Sequence, residues 1–425
     1  MPSSYHPATL AIHADDKLND STDVAPALHL STTFRYTNDL THLNPVPDED
    51  VFESADLSKQ PPHVYSRLTA PNTTRFEQIL SKLLKGDVVT YSSGLSAFHA
   101  ELTFLNPKVV AIGHGERGGY HGCHGVLNLF QRVSKCKVVD LFADDATWDA
   151  AGLGSGDVVH METPLNPTGI AYNISEFANR AHKHGAYLSV DATFGPPPLQ
   201  DPFAHGADIV MHSGTKYFGG HSDMLCGVLA INPERERERK AQGQEIWWRG
   251  LSTDRLFLGS VMGSLEGWLG VRSLRTLELR AQRQSENATE LVSWLDARMK
   301  EPGVVADTET AADEGEVVRK TVGKVMHASL QKDGGDWLKQ QMPNGFGPVF
   351  SVMMQTREMA RRLPSKLHLF HHATSLGGVE SLIEWRKMSD KEVDDRLVRI
   401  SVGVEKVEDL KMDLLEAFKS LVAEL

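Results

Sequence analysis

Short apolar runs alternate with amphipathic segments through the middle of the chain. Each run is about the length of one strand, and the segments between the runs place apolar residues at helical spacing. Strands that alternate with amphipathic helices predict a parallel sheet with helices on both faces. The predicted strands are DVVTY, KVVAIG, KVVDLF, DVVHMET, AYLSVDATF and GADIVMHS.

The two ends of the chain have different patterns. Residues 1–60 have too little apolar periodicity for a core of their own, so we expect an N-terminal arm that packs on another body. Residues 61–260 hold the predicted strands and form the expected large domain. A long helical pattern from about Leu256 to Met299 leads into a smaller domain over residues 261–425. Its strand-like runs GPVFSVMMQ and LVRISVGV and its closing amphipathic helix predict an α+β arrangement.

Four local patterns add detail to this outline. The segment TTRFEQILSKLLKG predicts a helix that begins at a hydroxyl N-cap and ends at Gly86. The acidic run DTETAADEGE predicts a surface loop, and ERERERK predicts a solvated helix face. Trp247, Trp248 and Arg249 predict packing or interface surface.

Composition narrows the class of protein. With 425 residues, 40% hydrophobic and 24% charged, the chain is typical of a globular enzyme. A net charge of −12 argues against nucleic acid or an anionic membrane as the partner. The three cysteines have no metal or redox spacing, and no apolar stretch is long enough for a membrane span. We therefore expect a cytoplasmic protein without a signal peptide.

The stretch Ala207–Leu225, ADIVMHSGTKYFGGHSDML, carries the first candidate chemistry. A strand ends in small hydroxyl residues, Ser213 and Thr215, beside one lysine, Lys216. The preceding strand ends in LSVDATF, with Asp191 and Thr193 at its tip. A lysine that forms a Schiff base, an acid for a protonated ring nitrogen and hydroxyls for a phosphate together suit pyridoxal 5′-phosphate (PLP). An isolated S-x-T-K would instead indicate a surface lysine in a loop.

Other strand ends carry polar residues that fall at the same edge of the predicted sheet. The turn SSG before the helix SAFHAELTFL provides backbone N–H groups at a helix N-terminus, which is an anion site. Ser93, Glu162, Asp191, Ser213 and Lys216 all follow strands. Ligands of parallel sheets bind beyond the carboxyl ends of the strands. We therefore expect these residues to surround one site.

With these motifs in order, the chain resembles the Cys/Met-metabolism (trans-sulfuration) family of PLP enzymes, and within it the fungal cystathionine γ-synthase-like proteins. The resemblance runs from about Ala8 to the C-terminus and implies PLP fold type I, the aspartate aminotransferase-like fold, with a mainly parallel seven-stranded sheet sandwiched by helices. The matching stretches are STTF (31–34), YSR (65–67), SSGLSA (92–97), ETPLNPTG (162–169), VDATF (190–194), SGTKYFGGHSD (213–223), SLGGVESL (375–382) and RISVGVE (399–405).

The resemblance implies roles around the cofactor. Lys216 would be the Schiff-base lysine and proton shuttle, and Asp191 would pair with the pyridine nitrogen. Tyr120 would stack on the ring and take part in proton transfer. The remaining cofactor-binding residues that it implies are Thr193, Ser93, Gly94, Leu95, Ser213 and Thr215.

The resemblance also implies a substrate site and an oligomer. Arg399, with Ser375 and Asn166, would bind the α-carboxylate of a small amino-acid substrate. Tyr65 and Arg67 would reach the phosphate of the neighbouring subunit, and Tyr65 would also approach the substrate. The N-terminal arm would contribute to the neighbouring subunit as well. A homodimer would then be required for a complete site, and we expect a homotetramer.

Several positions depart from the family pattern. The residues after Tyr120 are His121-Gly122-Cys123 in place of Gly-Gly-Thr, and Ala70-Pro71-Asn72 replaces Asn-Pro-Thr. Leu376 stands where bacterial cystathionine β-lyases have Trp, which argues against that activity. Cys123 lies one place later than the methionine γ-lyase cysteine, which argues against that activity too.

The activity implied is γ-replacement on an activated L-homoserine ester, O-acetyl- or O-succinyl-homoserine, through a vinylglycine-type intermediate. The nucleophile would be a thiol or, in a specialised pathway, a carbon or nitrogen nucleophile. One alternative is a C–S lyase, either a cystathionine β/γ-lyase or a methionine γ-lyase. Another is a non-catalytic PLP-binding structural or regulatory protein.

A histidine-rich stretch has a competing interpretation. His114, His121, Cys123 and His124 lie close together in the sequence and suggest zinc. No second cysteine pair accompanies them and the run is glycine-rich, so we expect pocket or loop roles and no metal site.

Overall fold

The computed structural model describes residues 5–19, 22–43, 63–300 and 309–424. The acidic, proline-containing part of the predicted arm, over residues 44–60, lies outside these ranges. Twelve strands are described: β1 Asp87–Tyr91, β2 Val109–Ile112, β3 Lys137–Asp140, β4 Val158–Glu162, β5 Tyr187–Asp191, β6 Ile209–Ser213, β7 Gly227–Ile231, β8 Val322–Met326, β9 Val349–Met354, β10 His371–His372, β11 Leu382–Trp385 and β12 Leu397–Ser401.

Helices separate most of these strands. In chain order, the described α-helices are α1 Pro7–His13, α2 Pro71–Leu84, α3 Gly94–Leu105, α4 His121–Ser134, α5 Asp145–Ala151, α6 Ile174–Lys183, α7 Pro233–Ala241, α8 Trp247–Leu258, α9 Ser264–Leu274, α10 Leu277–Met299, α11 Glu309–Thr321, α12 Gly335–Gln341, α13 Arg357–Arg362 and α14 Val407–Ala423. None of them is both long enough and apolar enough to cross a lipid bilayer.

The first seven strands form one mainly parallel sheet in the order β1-β7-β6-β5-β4-β2-β3. Only β7 runs antiparallel to its two neighbours, β1 and β6. Successive residues point to opposite faces, so Val88 and Ala230 pack in one apolar cluster while Val89 and Leu229 pack in another. Helices cover both faces: α2 and α6 lie on the first, and α3, α4 and α8 lie on the second. The predicted seven-stranded sheet between helices is confirmed.

The remaining five strands form a second sheet in the order β10-β11-β12-β9-β8. Its core includes Phe350 on β9 and Ile400 on β12, which pack with Leu291 of α10 and Leu414 of α14. The expected smaller α+β unit is therefore present. The limits of the proposed domains remain a prediction. Helix α9, which falls within the range assigned to the small domain, packs on α2 of the large domain.

Several local predictions were wrong. Helix α2 begins at Pro71 after Ala70, which makes no side-chain cap, because proline at the first helical position supplies the required φ without a hydroxyl. Lys85, in the left-handed conformation, ends it rather than Gly86. The predicted helical stretch from about Leu256 to Met299 is helical over most of its length but divided: it contains the end of α8, which Gly259 terminates, and then α9 and α10.

Two charged runs also differ from expectation. Much of the acidic stretch predicted as a surface loop belongs to helix α11. Helix α7, from the ERERERK run, is solvated except for Glu236, whose buried carboxylate accepts from the backbone N–H groups of Trp247 and Trp248 at 3.1 and 3.0 Å. This carboxylate caps the start of α8. Both tryptophans are buried, which confirms their packing role.

Candidate active site

Polar residues from three strands meet at the carboxyl edge of the large sheet. Glu162 ends β4 and Asp191 ends β5, and the two are register partners on adjacent parallel strands. Ser213 ends the next strand, β6, and its N–H donates to Thr193 Oγ1 at 2.8 Å. Adjacent parallel strands therefore bring the predicted acids and hydroxyls to one edge.

Lys216 lies in the turn that follows β6, where its N–H bonds to the carbonyl of Ser213. Its Nζ donates to Ser375 Oγ at 2.7 Å. Burial, together with the charge of Arg399, lowers the pKa of Lys216 to about 8. An amine with a pKa near neutrality is unprotonated far more often than a surface lysine and can act as a nucleophile or base.

The loop that carries Ser375 closes over Lys216. Ser375 has a φ of 81°, which is rare for a residue with a side chain, and Gly377 has a φ of 86°. A Cβ atom on Gly377 would lie 2.8 Å from the carbonyl carbon of Lys216, so only glycine permits this approach. Strained backbone that is held by its surroundings is characteristic of functional loops.

Asp191 is oriented by Thr193. Its Oδ1 accepts from the Thr193 N–H at 3.0 Å and from Thr193 Oγ1 at 2.5 Å. Its Oδ2 receives no hydrogen bond from the residues that the structure describes. Burial raises the pKa of Asp191 and of Glu162, and the charge of Asp191 raises that of Glu162 further. A cation at the open oxygen, such as a protonated ring nitrogen, would stabilise ionised Asp191.

The N-terminus of α3 faces Ser213. Ser93 caps this helix, with its Oγ accepting from the Ser96 N–H at 3.1 Å. A Cβ atom on Gly94 would lie 3.0 Å from the Ser213 Cβ, so the helix start and the end of β6 are in close contact. Such a helix start with a nearby hydroxyl suits an anion. The Thr215 hydroxyl accepts from the backbone N–H of Cys226 at 3.0 Å, and its part in an anion site remains a prediction.

Tyr120 precedes α4 and is held by Glu162. The Tyr120 N–H donates to Glu162 Oε2 at 2.7 Å, and the Asn166 N–H donates to Oε1 at 2.5 Å. A Cβ atom on Gly122 would lie 2.8 Å from Tyr120 Cζ and 3.0 Å from Leu95 Cδ2, so the ring packs near the start of α3. Burial raises the pKa of the Tyr120 hydroxyl, which therefore holds its proton.

Arg399 on β12 links the two predicted substrate residues. Its two terminal nitrogens donate to Asn166 Oδ1 at 3.0 Å and to the Ser375 carbonyl at 2.8 Å. The side chain is 5% exposed, and burial lowers its pKa to about 10, so it remains a cation at neutral pH. The structure thus brings Arg399, Asn166, Ser375 and Lys216 together.

Two residues of this cluster were not predicted. Glu384 on β11 is the register partner of Arg399 and accepts from it at 2.7 Å. Arg386, just beyond β11, donates to the same Glu384 oxygen at 2.9 Å. The available signal was the run LIEWR, in which one charged residue lies within a buried strand and another directly follows it. Glu162 was placed at its strand end but was given no role, although it positions both Tyr120 and Asn166.

Tyr65 and Arg67 lie away from this cluster. Tyr65 forms a bridge with Thr33 of the arm and is 39% exposed. Arg67 donates to the carbonyl of Leu256 at 3.3 Å, and its guanidinium lies 5.4 Å from the centre of the Tyr65 ring. Within the described ranges of this one chain, neither residue bonds to Lys216. Their part in a partner's site remains a prediction.

The histidine-rich stretch has ordinary contacts. His124 Nε2 donates to the Gly118 carbonyl at 2.8 Å, and the His121 ring lies 5.0 Å from the Tyr120 ring. Cys123 is buried on α4. Among the residues that the structure describes, no three His, Cys, Asp or Glu side chains are arranged to hold a metal ion.

The edge of this sheet holds a buried lysine, an acid with one open oxygen and a helix start beside a hydroxyl. Together these features define the class of fold type I PLP enzymes. Residues 8–419 match the family model of the Cys/Met metabolism PLP-dependent enzymes, and the chain belongs to that family. Pyridoxal phosphate is accordingly its cofactor.

Relatives within the family carry two kinds of name. The chain is 36% identical over 365 residues to a cystathionine γ-synthase of Mycobacterium bovis, covering 83% of this chain and 85% of that protein. It is 31% identical over 391 residues to a cystathionine β-lyase of Lactococcus lactis, covering 88% and 93%. A crystal structure of a cystathionine γ-synthase from Xanthomonas oryzae, in complex with aminoacrylate and cysteine, superimposes with a TM-score of 0.80 at 26% identity and covers both chains fully. The chain is thus a PLP-dependent enzyme of the trans-sulfuration type.

Proposed function

We propose that this protein catalyses γ-replacement on an activated L-homoserine ester, either O-acetyl- or O-succinyl-homoserine, with a thiol or a carbon nucleophile. The observation that carries the proposal is the chain of contacts from Lys216 Nζ to Ser375 Oγ, at 2.7 Å, and from the Ser375 carbonyl to Arg399, at 2.8 Å. It sets a basic amine beside a carboxylate-binding guanidinium, as an amino-acid substrate requires. The 36% identity to a cystathionine γ-synthase favours replacement.

The cofactor would be held by residues on the large sheet. Lys216 would bind it covalently, and the open Asp191 Oδ2 would pair with its ring nitrogen. Its phosphate would lie between the start of α3 and Ser213, with Ser93, Gly94, Leu95 and Thr215 as the other proposed contacts. The Tyr120 ring would stack on it, and Thr193 would keep Asp191 in place. When bound, PLP supplies an electron sink for charge that develops on the substrate.

Lys216 and Tyr120 would transfer the protons. The Lys216 amine, with its pKa of about 8, would remove the Cα proton and return it at the end of the cycle. Departure of the γ-substituent requires a second proton to leave Cβ, and the Tyr120 hydroxyl would assist these transfers. Each positioned proton transfer contributes about 10²–10⁴-fold to the rate.

Arg399 would bind the substrate α-carboxylate. A planar guanidinium holds a carboxylate through two parallel hydrogen bonds, which orients the Cα proton towards the lysine. Asn166 and Ser375, which accept from Arg399, would hold it in position. Tyr65 and Arg67 would complete the site from the neighbouring subunit, and we propose a homodimer that assembles further into a homotetramer, in the cytoplasm.

A C–S lyase is the second candidate. The 31% identity to a cystathionine β-lyase favours it, and the same residues would release the product to water instead of to a second nucleophile. A non-catalytic PLP-binding protein is disfavoured, because Lys216, Asp191, Tyr120 and Arg399 are all present and the structure brings them to one site.

Product analysis separates these candidates. The PLP-loaded protein is given O-acetyl- or O-succinyl-L-homoserine with a panel of thiol, amine and β-keto nucleophiles, and cystathionine alone is tested beside it. A new amino acid that depends on the nucleophile supports replacement. Formation of only 2-oxobutanoate and ammonia from the ester, even with the nucleophiles present, or of pyruvate from cystathionine, would reject replacement in favour of a lyase. The Lys216→Ala variant is the inactive control.

A further inference from the structure

Three buried charged residues form a cluster beside the proposed carboxylate site. Arg399, Glu384 and Arg386 are 5%, 3% and 3% exposed. Both guanidinium groups donate to one oxygen, Glu384 Oε2, at a distance of 2.7 Å for Arg399 and 2.9 Å for Arg386. Glu384 is therefore shared, and the three side chains together have a charge of about +1 when all are ionised.

Arg386 makes few contacts for a buried arginine. Its Nε–H has no hydrogen-bond partner within the described residues, and its other ion pair, with Asp390, is long at 3.9 Å. Buried guanidinium groups normally satisfy most of their donors, because unpaired ones cost free energy. Packing and hydrogen bonding therefore give little reason for an arginine at this position.

The charge of Arg386 supplies a reason. Without it, Arg399 and Glu384 would be a neutral pair, and an incoming carboxylate would meet a guanidinium already paired with another carboxylate. Because Arg386 binds the same oxygen, it balances the charge of Glu384 and leaves that of Arg399 available to an anion. Charges act strongly at such short distances when water is excluded.

We propose that Arg386 is a positioning residue that offsets Glu384, so that Arg399 can bind the α-carboxylate of the substrate. The proposal rests on the role given to Arg399 under the proposed function. Lys216, Glu162 and Asp390 are charged groups that also interact with the cluster, and the variants below leave all three unchanged.

The test measures binding rather than turnover. The probe is L-2-aminobutyrate, which lacks a γ leaving group, and its matched control is L-2-aminobutanamide, which lacks the carboxylate. Dissociation constants are measured by calorimetry on the PLP-loaded protein. The variants are Arg386→Met, Arg386→Lys, Glu384→Gln and the double variant Arg386→Met/Glu384→Gln. Arg396→Met, at an exposed arginine paired with Asp394, is the control substitution.

The charge pattern predicts a distinctive order of affinities. Arg386→Met weakens binding of the carboxylate probe by about tenfold or more and leaves the amide probe within about twofold. Arg386→Lys keeps the charge, and Glu384→Gln removes the competing carboxylate. Each of these variants therefore binds the carboxylate probe at most about threefold more weakly than wild type does. The double variant restores binding to within about threefold of wild type, because its net charge is again +1.

A purely structural role gives the opposite pattern. Arg386→Met and Glu384→Gln would then each weaken the binding of both probes, and the double variant would bind them most weakly. That result would overturn the proposal. Arg399→Met separates the two levels of inference. If it leaves the carboxylate probe unaffected, the role of Arg399 fails and the proposal with it. If it weakens that probe while Arg386→Met does not, the inference about Arg386 alone is wrong.

Discussion

Lys216 Nζ donates a 2.7 Å hydrogen bond to Ser375 Oγ, which joins the turn after β6 of the large sheet to the loop before β11 of the small sheet. The two residues are 159 positions apart in the sequence. The bond holds the amine where burial keeps its pKa low. It also makes the position of the proposed catalytic base depend on both sheets.

Removing the Ser375 hydroxyl should impair the lysine without unfolding the protein. We expect Ser375→Ala to lower kcat/KM by about tenfold, the value of one hydrogen bond to a charged group. Ser375→Gly should cause the same loss but raise the thermal midpoint above that of the alanine variant, because glycine accepts a φ of 81° without strain. Equal midpoints for the two variants would show that the backbone strain is absent.

Lys216→Ala should abolish both catalysis and covalent attachment of the cofactor. We expect a loss of at least about 10³-fold in activity, since the variant loses the nucleophile and a proton-transfer group together. The measurements are turnover and the visible absorption band of the cofactor after borohydride treatment. Lys240→Ala, at an exposed lysine, is the matched control and should retain both. A coloured, borohydride-sensitive Lys216→Ala protein would contradict the assignment.

The rate of cofactor attachment should depend on pH through Lys216. Because burial and the charge of Arg399 lower its pKa from 10.5 to about 8, the reactive amine form accumulates as pH rises through about 8. We expect the rate at which PLP attaches to the apoprotein to reach half of its maximum near pH 8. Arg399→Met should move this midpoint to higher pH, because it removes a neighbouring positive charge. Arg396→Met should leave it unchanged.

Tyr120→Phe separates stacking from proton transfer. The phenylalanine ring keeps the packing against Leu95 and Gly122 but has no hydroxyl, so we expect cofactor binding to stay within about twofold while kcat falls by about 10²-fold. Stopped-flow kinetics and cofactor titration measure the two quantities. An unchanged kcat would assign all of the proton transfers to other groups.

Glu101 should make stability fall as pH rises. It is fully buried on α3, Ser189 beside it bonds to His160, and neither carboxyl oxygen has a hydrogen-bond partner among the described residues. Burial raises its pKa from 4.5 to about 8, so between those values the folded protein keeps a proton that the unfolded chain releases. Unfolding is therefore favoured as pH rises through this window.

The corresponding variant is Glu101→Gln, which cannot ionise. We expect it to raise the thermal midpoint relative to wild type more at pH 8 than at pH 5. Glu286→Gln, at an exposed position, should show no such difference. An equal effect at both pH values would mean that Glu101 is not the titrating group.

Pattern and motif predicted most of the large sheet and much of the site. The alternation of strands and helices was sufficient for the parallel strands, and the ends of those strands placed Asp191, Ser213 and Lys216 together. Strand β7 was not predicted, because its run GVLAI looks like any apolar segment and its antiparallel pairing depends on β1 and β6. The predicted start of α2 was wrong because the helix begins at Pro71, whose fixed φ suits the first helical position, after Ala70 and without a hydroxyl cap.

Contacts between distant segments could not be predicted. The sharing of Glu384 by Arg386 and Arg399 depends on the register of β11 against β12, which no local pattern specifies. The hydrogen bond between the Thr215 hydroxyl and the backbone of Cys226, eleven residues further along the chain, was likewise not predicted. The sequence therefore indicated which chemical groups are present at the site better than it indicated the hydrogen-bond partners of each side chain.

Arg399 and Ser375 belong to the small sheet and the loop before its β11, whereas Asp191 and Lys216 belong to the large sheet and the turn after its β6. This separation has a consequence for how such an enzyme can be altered. Substitutions along β11 and β12 change the surroundings of Arg399, the proposed carboxylate-binding residue, while the residues around Asp191 stay unchanged. On the proposed roles, substrate preference can be varied through one sheet, by natural descent or in the laboratory, provided that the contact between Lys216 and Ser375 is preserved. Cofactor attachment changes with it only where a substitution alters the charge beside Lys216, as at Arg399.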